Sequence, residues 1–134
     1  MNRTIKSPDS DTITNGVRIH AAARYAPEQS DPDNCSYVYS YRITMTNEGD
    51  ATVRLLRRHW IILDAFGERE EVEGDGVVGE HPVLEPGETY SYVSRCPLST
   101  SWGTMEGSYA FFRGDDSEPI EVEIGRFFLV PSSA

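Results

Sequence analysis

Gly74, Gly76 and Gly79 stand in the order G-x-G-x-x-G within Gly74-Asp75-Gly76-Val77-Val78-Gly79. In dinucleotide-binding folds this string lets backbone amides approach a pyrophosphate at the start of a helix. The chemistry requires strand, turn, then helix. Here Glu80-His81-Pro82 and then Pro86-Gly87 follow, and two prolines so close together leave no room for a helix. The dinucleotide reading falls, and no cofactor is expected. Two readings stay open for the segment: a glycine-hinged loop between strands, or a nest of glycine amides that binds a small anion without a Rossmann fold.

Arg54, Arg57, Arg58 and His59 form the basic concentration of the sequence and lie beside Trp60. Basic groups next to an aromatic ring suit an anion site or the anchor of a partner. The competing reading makes Trp60 the buried tryptophan of a β-sandwich, with the arginines snorkelling from their strand. Gly74, Gly76, Gly79, Arg57, Arg58 and His59 are therefore the candidate ligand-binding residues.

His20, His59 and His81, with Cys35 and Cys96, show none of the short spacings of a structural zinc site, so no metal site is expected. Dispersed carboxylates such as Asp115, Asp116 and Glu118 offer a hard cation only weak, screened attraction. Nothing resembles G-x-S-x-G or a cysteine-nucleophile signature, so no catalytic residues and no enzyme activity are expected.

The elements that position these groups read as strands. Val17, Ile19, Ala21, Ala23 and Tyr25 alternate with polar residues, as do Tyr37, Tyr39, Tyr41, Ile43 and Met45. Val53 to Leu63 is apolar on both parities and predicts a central strand with a bulge near Arg57. Further strands are expected over Glu70 to Glu73, Thr89 to Arg95, Tyr109 to Arg113 and Ile120 to Val130, the last with a bulge at Gly125. The turn Asp64-Ala65-Phe66-Gly67 makes consecutive strands a hairpin, and counting outward from it sets Gly74 level with Arg57 or Arg58. No window carries a helical apolar period, so an all-β sandwich or barrel is predicted. Residues 1–15 are polar and aperiodic and predict a flexible tail; residues 16–131 predict one domain, and 132–134 a short C-terminal tail.

Twelve basic and twenty-two acidic residues give a formal net charge of −10. That sign repels phosphate backbones and anionic headgroups, so neither nucleic acid nor a membrane surface is expected as a partner. No stretch approaches the roughly 18–20 apolar residues of a spanning helix. The N-terminal MNRTIKSPDSDT lacks the apolar core of a secretory signal, and the cysteines lack CxxC spacing, which predicts a reducing, cytoplasmic setting.

Four separated blocks resemble the ApaG family: Leu55-Leu56-Arg57-Arg58-His59-Trp60; Gly74 to Glu80 with Pro82 and Pro86-Gly87; Tyr90-Ser91-Tyr92-Val93-Ser94; and Gly103-Thr104-Met105-Glu106-Gly107-Ser108-Tyr109. The resemblance implies an immunoglobulin-like, fibronectin type III-like sandwich of about seven to eight antiparallel strands, without established enzymatic activity. It also implies a protein partner, since similar domains occur fused to F-box proteins, and a link to cobalt resistance and magnesium efflux. Homo-oligomers are compatible with it. The family pattern usually has Gln, Ser and Gln where this chain has Arg54, Arg57 and His81, a methionine near Phe111, and a proline where Gly125 stands. Arg57 thus extends the basic run and would alter the charge preference of any ligand shared with the family.

Overall fold

The structure, a computed structural model, describes residues 8–131. Among them are nine β-strands: β1 Ser10–Thr14, β2 Val17–Tyr25, β3 Tyr37–Asn47, β4 Val53–Asp64, β5 Arg69–Asp75, β6 Val83–Leu84, β7 Thr89–Leu98, β8 Gly103–Arg113 and β9 Ile120–Leu129. They form two antiparallel sheets, ordered β1-β2-β3-β7 and β5-β4-β8-β9, with β6 continuing the β5 side of β4. This is the expected immunoglobulin-like sandwich.

Alternation along each strand decides what enters the space between the sheets. Ile19, Tyr39, Ile43 and Met45 from one sheet meet Leu55, Tyr109, Phe111, Phe127 and Leu129 from the other, all fully buried. Ile124 and Phe127 both point inward although they lie three apart, because β9 shifts register against β8 beside Gly125. A second register shift on β4, at Leu56, lies where the bulge was expected.

The flexible tail expected over residues 1–15 is corrected at its end, where Ser10–Thr14 is β1. Its residues alternate, but the period is polar. Ser10 Oγ donates to the Gly125 carbonyl at 2.8 Å and Thr12 Oγ1 to the Glu123 carbonyl at 3.1 Å, while Thr14 Oγ1 accepts from the Glu123 amide at 3.2 Å. These hydroxyls bond a backbone edge instead of filling a core, so no hydrophobic signal marks the strand. Residues 1–7 and 132–134 lie outside the described residues.

Candidate functional site

The β4–β5 hairpin turns at Gly67, whose φ of 82° suits glycine. Mirrored pairing about the turn then brings Arg57 opposite Asp75, Arg58 opposite Gly74 and His59 opposite Glu73. The expected proximity of the glycine loop and the basic run is therefore observed. The bulge at Leu56 resets the parity of β4, so that Arg58 and buried Trp60 share one face while Arg57 and His59 share the other.

Arg58, paired with Gly74 on one side and Tyr109 on the other, clasps the loop. Its Nη1 donates to the carbonyls of Asp75 at 3.0 Å and Gly76 at 2.8 Å. A Cβ at Gly74 would lie 2.7 Å from Nη2, so the guanidinium occupies the space glycine leaves. Burial pushes the phenols of Tyr92 and Tyr109 upward, and the Arg58 charge works against that push in both.

The loop beyond is closed on itself. The amide of Gly76 donates to the Leu56 carbonyl, and Val77 and Glu80 each donate their amide to the other's carbonyl across a turn in which Gly79 has φ 81°. Val77 plugs the core, and His81 Nδ1 lies 3.1 Å from the Leu55 carbonyl. Arg58 thus meets carbonyls, and the amides of Gly76, Val77 and Glu80 are already engaged. Gly76 itself has φ 61°, and a Cβ there would overlap the Glu80 carbonyl oxygen. Gly76→Val therefore disturbs the loop before any ligand is considered.

Replacing Arg58 with methionine is expected to cost about 1.5–3 kcal/mol, the range for hydrogen bonds to a charged group. Amide exchange over residues 74–82 should accelerate most, as measured by hydrogen–deuterium exchange with mass spectrometry. Unchanged protection there would show that the clasp holds nothing.

On the outer face, His59 Nε2 lies 2.9 Å from Glu71 Oε1 and 3.8 Å from Glu73 Oε2. Arg69 Nη2 reaches the second oxygen of Glu71 at 2.7 Å. His59 and then Arg69 hold the Glu71 carboxyl below its usual range. One imidazole and two carboxylates converge within 4.8 Å of one another, a donor set suited to a divalent ion once Arg69 yields its share of Glu71. Sequence spacing hid this cluster, although counting outward from the turn already sets Glu73 against His59. Arg57, paired with Asp75, lines a small depression of about 140 Å³ with Arg58, His59, Glu73 and Glu121. The six candidate residues are therefore split: Arg58 meets Gly74 and Gly76, Gly79 shapes the loop tip, and Arg57 and His59 serve the opposite face.

The chain matches the ApaG domain over residues 27–113. It is 46% identical over 113 residues to Protein ApaG of Bdellovibrio bacteriovorus, covering 84% of this chain and 88% of that one. Protein ApaG of Anaeromyxobacter dehalogenans is 45% identical over 121 residues, covering 90% and 94%. A crystal structure from Bordetella pertussis, described as an ApaA protein, superposes with a TM-score of 0.81 at 41% identity, covering 96% of this chain and 98% of that one. The family match over most of the chain, relatives at 45–46% identity and the shared fold place this chain in the ApaG domain family.

Proposed function

We propose that this chain is a non-enzymatic binding module that accepts an extended segment of a protein partner along the open edge of β7. The asymmetry of the sheet edges carries the reading. At one side of the sandwich β1 faces β9, and hydroxyls from β1 engage the β9 backbone. At the other side β5 ends its sheet with Arg69, Glu70, Glu71, Glu73 and Asp75, the charged guard that keeps a strand from pairing with strangers. β7 ends the other sheet more lightly guarded: its ten residues hold no Lys, Asp or Glu, its one charge is Arg95 and its one proline, Pro97, stands next to its end, and Val93 is 47% exposed in mid-strand. Among the described residues it pairs only with β3. Such an edge supplies main-chain hydrogen bonds for an added strand and side chains to choose among them.

The reactive side chains support a non-catalytic role. Burial, helped by Glu70, pushes the Cys96 thiol up to about 12, leaving it protonated at neutral pH. His59 leans on Glu71 and offers its ring to no hydroxyl or thiol among the described residues. The family's link to cobalt and magnesium would then act through the partner, as no helix among the described residues is long and apolar enough to cross a membrane.

A photo-crosslinking amino acid in place of Val93 tests the edge in living cells. It is expected to capture one discrete protein, and the same group in place of Glu121 on β9 should not. Equal capture at both positions, or none at Val93, would overturn the reading.

A further inference from the structure

Acidic residues make up 22 of the chain's 134, yet β2, β3 and β7 contain none. Their outward side chains include Arg18, Arg24, Arg42 and Arg95. Arg18 is neutralised by Asp11 and Glu48. Arg24, Arg42 and Arg95 are exposed and form no ion pair among the described residues. Elsewhere Arg69 pairs with Glu71, Arg113 with Asp116 and Arg126 with Glu106, while on β4 Arg58 bonds backbone carbonyls and Arg54 lies over the Phe112 ring. A chain of net charge −10 thus keeps an unneutralised basic face on one sheet.

Register places these arginines beside the open edge. Arg24, Ser40 and Arg95 align across β2, β3 and β7, and Arg42 aligns with Val93. Arg42 does not stay on its own strand: its Nη1 reaches the Ser91 hydroxyl at 3.2 Å, which sets the guanidinium over β7. Along the edge the outward order is therefore a cation at Ser91, exposed Val93, and a cation at Arg95. A depression of about 640 Å³ adjoins this end, lined by Arg24, Tyr25, Glu28, Ser40, Val93 and Arg95 among others.

We infer that the segment accepted by β7 presents acid, apolar and acid residues at i, i+2 and i+4 of an extended strand. This rests on the edge-docking reading above. Alternate residues of an added strand project to the same face, and directly opposed side chains lie about 4.5–5.5 Å apart. An acidic residue opposite Ser91 meets the Arg42 guanidinium, one opposite Arg95 meets that side chain with Arg24 behind it, and the apolar residue between them covers Val93. The rest of the molecule repels an anionic segment, so attraction at this face also selects the orientation of approach.

The test uses the full chain, labelled with nitrogen-15, and two end-blocked peptides: Thr-Asp-Thr-Val-Thr-Asp-Thr and its counterpart with lysine at both acidic positions. Amide shifts are followed through each titration at low and physiological salt. The acidic peptide is expected to move β7 amides around Val93 and to bind at least about tenfold more tightly than the lysine peptide at low salt, with a smaller ratio as ions screen the pairs. The double variant R42E/R95E should remove or reverse that preference while keeping a dispersed amide spectrum. Equal binding of both peptides at β7 overturns the charge inference and leaves edge docking standing. Shifts confined to β5, or no β7 response to either peptide, overturn both.

Discussion

Replacing Trp60 with alanine is expected to lower unfolding free energy by about 3–5 kcal/mol, the range for deleting a large aromatic from a core. The indole is 3% exposed and sits among Tyr41, Phe127 and Tyr109, with ring centroids 5.4, 6.0 and 6.3 Å away. Those rings come from both sheets, so the cavity would open where the sheets are joined and neither layer could collapse to fill it. For a chain of this size the loss corresponds to a fall in Tm of roughly 10–20 °C. Urea unfolding followed by circular dichroism measures it, and a loss below about 1 kcal/mol would place the indole outside the core. The indole Nε1 is buried and has no hydrogen-bond partner among the described residues, and an unpaired buried donor costs free energy. Trp60→Phe removes that donor along with part of the ring and should cost less than half as much as Trp60→Ala. Burial decides between the two readings of Trp60: it is the buried tryptophan of the sandwich, joining the two sheets.

Gly107→Ala is expected to cost more than about 3 kcal/mol or to prevent folding, a large effect for one methyl group. Gly107 lies opposite Trp60 on β8, and a Cβ there would overlap the His59 carbonyl oxygen and approach the Trp60 Cα to 3.1 Å. Both obstacles are backbone, so no side-chain rotation relieves them; β4 and β8 would have to part in the middle of their sheet. The sign distinguishes this mechanism from an entropic one, because Gly→Ala at an unobstructed site usually stabilises by about 0.4–1 kcal/mol. Thermal unfolding of Gly107→Ala beside the parent chain decides it, and an equal or higher Tm would refute the close approach. The same contact explains the glycine within the Gly103 to Tyr109 block: the position is occupied by another strand's backbone.

Strand type followed from side-chain period wherever the inward face meets apolar surface. β2, β3 and β9 were legible because Ile19, Tyr39, Ile43 and Val122 each need burial, and a period of two buries them only in a strand. The hairpin register was legible too, since a tight turn makes pairing a matter of counting. Other features left no local trace. β1 bonds a backbone edge through hydroxyls, so its period is polar; β6 is two residues long; and the first half of β8 contains Gly103 and Gly107, which have no side chain to show a period and are crowded chiefly by the backbone of β4. The bulge near Arg57 was legible, but which way each arginine of β4 points depended on its placement at Leu56, since a shift of one residue exchanges the faces.

The two basic groupings show the same division. Arg57, Arg58 and His59 adjoin in sequence but divide between two faces, because neighbours on a strand point in opposite directions. Arg24, Arg42 and Arg95 are scattered along the chain and form one face, because antiparallel pairing of β2, β3 and β7 lays distant residues side by side. The sequence by itself determined the core-facing strands, the sandwich, the family and the net charge, all of which depend on local period, local motif or composition. Only the tertiary structure decided where that charge is absent and which sheet edge is left open, because both depend on pairing between segments that the chain separates.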